Sequence, residues 1–301
     1  MNNKILNRRG VAIISVMIVI ALISASVSLM LQRFGKDLEQ TKYTLNQTHA
    51  LNHLYSIEAW AKIILANDES DFDNLNEDWA TAIIPIKIEG GSLYGKLSDL
   101  QSRLNLNNLI DLKTDAYLPQ YRSFFYDCIN RLNTQLNQQA MADTIFSFAV
   151  NRPPKPKLFE QLAELKTIKT ITKKDYLKIK PYLSALPTLS PINVNTAGKE
   201  VLSCLHPQLS GALVEKLIRY RKNQPFESID QFWSYAHSIL PNLTLEQIKD
   251  SFPGKFTNTF SNYFILDTEI TIEKNKLIGQ TILHRKDGKI TIMNRSYYQA
   301  L

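Results

Sequence analysis

Side chains capable of chemistry are scattered along this chain rather than gathered. His49 and His53 stand four apart, a spacing that puts two imidazoles on one helix face and could hold a metal ion. No third ligand accompanies them, so they read as polar residues on a helix surface. Six carboxylates fall within eleven residues (Asp68, Glu69, Asp71, Asp73, Glu77 and Asp78), a composition suited to a hard cation such as calcium. The EF-hand register fails, because Leu75 falls where an oxygen ligand is needed and no glycine marks the sharp turn. A solvated loop is expected there. Cys128 and Cys204 are the only cysteines and fit no metal-ligand spacing. They read as two separate buried thiols, although in an oxidising compartment a bond between them would contribute about 4 kcal/mol. The sequence has no Gly-rich phosphate loop, no H-E-x-x-H pattern and no G-x-S-x-G elbow. No nucleophile, acid or base cluster marks an enzyme.

Two stretches could meet phosphate. Arg152–Lys180 carries nine basic and three acidic residues, with Phe159 and Tyr176 as its only aromatics, and reads as a solvated helical face. "INVNTAGKEVLSCLHPQLSGALVEKLIRYRK" is more specific. Asn195 or Thr196 is placed to cap a helix beginning near Ala197, with Glu200 in its positive first turn. A connection at 206–211 leads to a second helix ending in Arg219, Arg221 and Lys222. This is similar to the helix-hairpin-helix of non-sequence-specific DNA-binding proteins. Its hairpin has one glycine, Gly211, and Pro207 removes an N–H donor, so helix pairing without a ligand is the expectation. The net charge of +7 adds little, since Lys4, Arg8 and Arg9 supply three of those charges at the extreme N-terminus.

The elements that must position these residues begin with an apolar run. Val11–Leu31 is 21 residues without a charge, and as a helix it spans roughly 32 Å, the thickness of a bilayer's hydrocarbon core. Lys4, Arg8 and Arg9 precede it, placing the N-terminus in the cytoplasm and everything after Leu31 outside. Ser24-Ala25-Ser26 imitates a signal-peptide cleavage site, but the apolar run is longer than such a peptide needs. Only Gly35 interrupts the stretch from Val11 to Ile84, and Leu38, Leu45, Leu51, Leu54, Ile57, Ala61 and Ile64 follow helical spacing. One long helix is expected, half in lipid and half packed on a globular head. Beyond it, "IKIEGGSLYGKL" reads as a hairpin turning at Gly90-Gly91. A helical block follows from about Thr114 to Ser251, with helical spacing in "LFEQLAELKTI". The alternation of "YFILDTEITIE" and the Asp287-Gly288 turn then mark closing strands.

Four segments in this order resemble the K class of type II secretion minor pseudopilins, the general secretion pathway protein K family. They are "RRGVAIISVMIVIALISASV", "YGKLSDLQSRLNLNNL", "LPTLSPINVNTAGKEVL" and "YFILDTEITI…ILHRKDGKITIMNR". The resemblance covers most of the chain, with 111–151 poorly matched. It implies an α+β, pilin-like fold: a long N-terminal helix packed on a small antiparallel sheet, with a large inserted all-α domain containing the helix-hairpin-helix-like element. The implied divisions are a leader at 1–10, a transmembrane and filament-core helix at 11–31 and its periplasmic continuation at 32–66. The sheet's first part follows at 67–112, the inserted domain at 113–255 and the closing strands at 256–301.

It further implies that prepilin peptidase cuts between Gly10 and Val11 and that Val11 is then methylated. Ser15 becomes the fifth mature residue, where most pilins carry a glutamate paired with a neighbour's terminal amine. A subunit with nothing above it has no such amine, so Ser15 suits the tip of the filament. A large insertion fits the tip too, since it would obstruct stacking elsewhere. The implied partners are minor pseudopilins of the I and J classes, prepilin peptidase, the inner-membrane secretion platform and, before assembly, membrane lipid; no nucleic acid is expected. The implied location is the inner membrane with a periplasmic head, and the implied role is non-enzymatic. Calcium binding belongs to the family, but its acidic segment is replaced here by a stretch with Asp127 and Asp143 as isolated acids. No cofactor is therefore assigned. The alternative is a membrane-anchored DNA-binding protein for DNA uptake.

Overall fold

The long proline-free N-terminal stretch forms one helix, α1, Asn3–Ala66. Gly35 does not break it: the residue is exposed, with nothing near its Cα for a side chain to meet. The computed structural model describes residues 3–68, 71–81, 85–111, 116–132, 138–151, 158–209, 211–252, 256–273 and 275–300. Ala50, Leu54, Ile57, Ala61 and Leu65 are buried at helical spacing. Leu38 and Leu45, grouped with them by the sequence pattern, are instead exposed, because the head begins further along the helix.

After α1 the chain forms β1, Ile86–Ile88, and β2, Gly91–Asp99. The turn between them is Glu89-Gly90 rather than Gly90-Gly91, since Ile88 pairs with Gly91. Gly90 has φ +72°, a left-handed conformation that favours glycine. Gly91 is needed for a different reason: a Cβ there would lie 1.7 Å from the Thr271 carbonyl oxygen.

The helical block comprises α2, Pro119–Leu132; α3, Gln138–Asn151; α4, Lys173–Ile179; α5, Lys199–Leu205; α6, Ala212–Asn223; α7, Ile229–Ile239; and α8, Leu245–Ser251. Capping boxes start α4 (Thr172 and Asp175) and α8 (Thr244 and Gln247). "LFEQLAELKTI" yields only a short 3-10 turn, Leu162–Thr167. Leu165 is buried and Leu158 and Leu162 partly so, and the chain goes on in tight turns, with the Ile168 N–H donating to Leu165 and that of Ile171 to Ile168.

The chain then closes with β3, Tyr263–Ile272; β4, Asn275–Lys286; and β5, Lys289–Ala300. The sheet order is β1-β2-β3-β4-β5, antiparallel throughout. Leu266, Thr268, Ile270 and Ile272 point inward from β3, as their alternation requires. Asp287-Gly288 makes the β4–β5 turn with φ +50° and +70°, the left-handed pair that matches strand twist.

The insertion leaves and re-enters through adjacent strands. Asp99 pairs with Phe264, and the Leu100 N–H donates to the Tyr263 carbonyl at 2.9 Å. Leu104, Leu106, Leu109, Ile110 and Phe256 therefore lie in the insertion's own core, so it starts before residue 113 and ends after 255. A separate core joins α1 to the sheet through Leu54, Ile57, Trp79, Leu97, Phe264 and Leu266.

A candidate assembly interface

The first described side chains of α1 form an apolar surface with no counterpart in the head. Val11, Ile14, Ile18, Leu22, Leu29, Phe34 and Leu38 are all exposed. Val11–Ala66 is long and apolar enough to cross a membrane, with a mean hydropathy of 2.6 in its most apolar window. At about 1.5 Å per residue its 56 residues extend roughly 84 Å, far beyond a bilayer. An apolar helix exposed on all sides is covered by lipid or by other apolar helices, not by water.

Val11 and Ser15 both lie on this surface, and the Ser15 hydroxyl donates to the Val11 carbonyl at 2.8 Å. Serine is thus satisfied within its own helix and demands no partner. Lys4, Arg8, Arg9 and Gly10 fall in the first turns of α1, and their side chains lie outside the described residues.

The C-terminal half of α1 is fixed to the sheet by two devices. Gly279 on β4 leaves the space that Leu54 fills, since a Cβ there would come within 2.7 Å of Leu54 Cδ1. Beside it Glu58, almost fully buried, accepts from Thr281 Oγ1 at 2.6 Å and from Arg295 Nε and Nη2 at 2.7 and 2.6 Å. The Glu58 hydrogen bond and charge hold the Arg295 guanidinium above its ordinary pKa. Where the helix departs from the sheet, Tyr43 and Gln47 donate to Gln299 Oε1 at 2.6 and 2.8 Å. A groove of about 320 Å³ opens there between Gln47, Ala50 and Leu51 on one side and Leu277, Tyr297 and Tyr298 on the other. Tyr297 and Tyr298 are exposed at its rim. Sequence reasoning missed both tyrosines; their signal was aromatic residues in a closing strand.

The asparagine motifs turn out to splint the junction of insertion and sheet. Asn105 accepts from the Leu186 N–H at 2.9 Å and donates to the Thr188 carbonyl at 2.9 Å. Asn107 both donates to the Phe159 carbonyl (2.8 Å) and accepts from the Phe159 N–H (2.7 Å), and Asn108 does the same with Ser190 (2.9 and 3.0 Å). Asn195 grips Phe226 in this way at 2.8 and 2.9 Å, so it is not a helix cap. Thr196 donates to the Asp99 carboxylate instead of capping, and α5 starts two residues later, with Gly198 as its N-cap. A carboxamide presents the same donor and acceptor as a peptide unit, which lets these side chains stand in for missing strand partners in a buried place.

The acidic stretch is a solvated loop only in part: Asp71 and Asp78 are exposed, Glu69 lies outside the described residues, and Asp68, Asp73 and Glu77 turn inward. Asp73 is fully buried, and Arg285 bonds both its carboxylate oxygens and, at 2.7 Å, Asp68. Burial pushes the Asp73 carboxyl up, to about 7, against the opposing pull of Arg285 and the Ser261 N–H. Burial acts on Arg285 in the lowering direction, but Asp73 and Asp68 together hold it above its usual value. Asp68, Asp73 and Glu77 bring carboxylate oxygens within 4.8 Å of one another, and the Arg285 guanidinium already supplies a positive charge there. His49 and His53 belong to no such group among the described residues.

The helix-hairpin-helix element is engaged internally. Arg221 is buried and donates to the carbonyls of Val194 and Ala197. The hairpin N–H groups of Gln208 and Leu209 are directed at His206, to its Nδ1 (3.1 Å) and its carbonyl (3.0 Å). Neither the arginine nor these donors face a phosphate. The residues of the basic run that are described, from Leu158 on, keep Lys166, Lys169, Lys173 and Lys174 in solvent; 152–157 lie outside the described residues.

A long, externally apolar helix laid on an antiparallel sheet, with a helical domain inserted between two neighbouring strands, is the α+β, pilin-like fold that the sequence implied. The family model for type II secretion system protein K matches residues 192–247, which include Asn195 and Arg221. Similar chains of known name extend over nearly the whole length. The type II secretion system protein K of Pseudomonas aeruginosa is 25% identical, covering 97% of this chain and 93% of its own. A putative protein K of Escherichia coli K12 is 26% identical over 98% and 99%. A chain of the GspK-GspI-GspJ complex from enterotoxigenic Escherichia coli shares the fold with a TM-score of 0.71 at 20% identity, covering 87% of this chain and 100% of that one. Over nearly its whole length the chain is thus similar to type II secretion system protein K.

Proposed function

We propose that this chain is the tip subunit of the pseudopilus and helps to initiate the filament that drives folded proteins across the outer membrane. It is made as a single-pass inner-membrane precursor with its head in the periplasm. Prepilin peptidase removes residues up to Gly10, and Val11 becomes the methylated N-terminus. Val11–Leu31 first sits in lipid and then moves, with the secretion platform's help, into a bundle with the helices of the I- and J-class minor pseudopilins. The work is helix packing and extraction from lipid, without bond chemistry beyond the chain's own processing.

The observation that carries this reading is the exposed apolar face of α1 running past the bilayer's length, through Phe34 and Leu38 to Leu45, before the head begins. Residues 34–45 are too far along to lie in lipid with the rest, so a protein partner is the natural cover. Ser15 and the bulk of the insertion support the tip. The test is co-purification of the full-length chain with I- and J-class pseudopilins after Leu38→Asp and Leu45→Asp. Loss of the partners, with the head's unfolding midpoint unchanged, is the expected result. Undiminished co-purification contradicts the interface.

A further inference from the structure

The insertion's core holds the chain's only two cysteines against each other. Cys128 lies on α2 beside Phe125 and Ile129, Cys204 lies on α5, and both are buried. The Cys204 thiol stands 3.6 Å from the Cys128 carbonyl oxygen and 3.3 Å from that of Glu200, and both thiols are free in this structure. α2 and α5 pack directly against each other in the insertion. Arg131, about one turn beyond Cys128, pins that pair by donating to the carbonyls of Ser203 and His206 at 2.8 and 3.0 Å. The two cysteine-bearing turns are thereby held in fixed register. Small apolar fillers elsewhere in this core are alanines, such as Ala142, Ala149 and Ala197. Packing alone gives no reason for both cysteines, 76 positions apart, to share one contact.

We propose that Cys128 and Cys204 are joined by a disulfide in the exported protein, tying the first helix of the insertion to α5. The inference rests on the periplasmic placement of the head. The oxidant is a protein dithiol–disulfide exchanger in its disulfide form. One cysteine thiolate attacks the exchanger's disulfide to give a mixed disulfide; the second thiolate then attacks the bound cysteine sulfur. The Cys128–Cys204 bond forms, the exchanger's own disulfide is broken, and the exchanger leaves as a dithiol carrying the two electrons and, by way of solvent, the two cysteine protons. Burial pushes the Cys128 thiol well up, which makes it a poor nucleophile once packed, so the exchange takes place before α2 closes on α5. The bond then constrains the unfolded chain across a long loop.

Full-length protein from export-competent cells is quenched with acid, denatured and treated with a maleimide, with and without prior reduction, then weighed. The expected result is no adduct and a mass about 2 Da below the dithiol form without reductant, and two adducts after reduction. Protease added to spheroplasts reports in parallel where the head lies. Two adducts without reduction on a protease-accessible head overturn the disulfide and leave the placement standing. Two adducts on a protected head overturn both. No adduct on a protected head supports the bond and overturns the placement. The Cys128→Ser/Cys204→Ser variant gives a second reading: its urea midpoint falls below that of the oxidised protein and matches the reduced one. A midpoint unchanged by reduction or by the double substitution overturns the clamp.

Discussion

The two halves of α1 have the same backbone and opposite surroundings. From Val11 to Leu31 large apolar side chains are exposed on every side; from Ala50 to Leu65 they are buried along one face. The most apolar part of the first half is covered by no part of the described head, whereas the second is keyed to it by the Leu54–Gly279 contact and the Glu58–Arg295 pair. A helix can therefore be half scaffold and half interface. Hydrophobicity does not separate the two roles. What separates them is whether apolar residues keep to one face, as a sheet requires, or go all round, as lipid and a helix bundle allow.

Substitutions that strike one half should spare the other. The largest loss is expected for Leu54→Ala, about 2–5 kcal/mol of head stability by denaturant unfolding in detergent. Leu22→Ala, in the exposed half, should leave that curve within about 0.5 kcal/mol of the parent. An equal effect of the two would erase the distinction. Ile20→Asp puts a carboxylate at the middle of the apolar run, where insertion is disfavoured by about 2.5–3.5 kcal/mol. Membrane fractionation should show less integrated protein while the head unfolds as before. Arg295→Ala leaves the buried Glu58 with Thr281 alone. Discounted for the partial exposure of the arginine, the expected cost is about 1–3 kcal/mol. Arg295→Lys should recover part of it.

Much of the fold could be read from the chain because it follows local rules. β3 alternates, Asp287-Gly288 fits the one turn that suits it, and the uninterrupted run from Val11 forms one helix. Failures came where a side chain takes the role of backbone or meets a distant charge. Asn195 and Thr196 have the types and positions of helix caps, yet their bonds go to Phe226 and Asp99, 31 and 97 residues away. Asp73 looks like one acid among six, and its burial is explained only by distant partners, Arg285 and the Ser261 N–H, 212 and 188 positions later. Leu38 and Leu45 share the spacing of the buried set, and nothing local says where the head ends. The groove residues Tyr297 and Tyr298 become visible only once β5 lies beside α1.

The central claim, that α1 changes from membrane anchor to filament core, is tested most directly at its first residue. The full chain is expressed with prepilin peptidase, purified from membranes, and its N-terminal peptide weighed. The account predicts a chain beginning at methylated Val11. A chain that keeps Met1 to Gly10, or one that begins near Ser26, would contradict it.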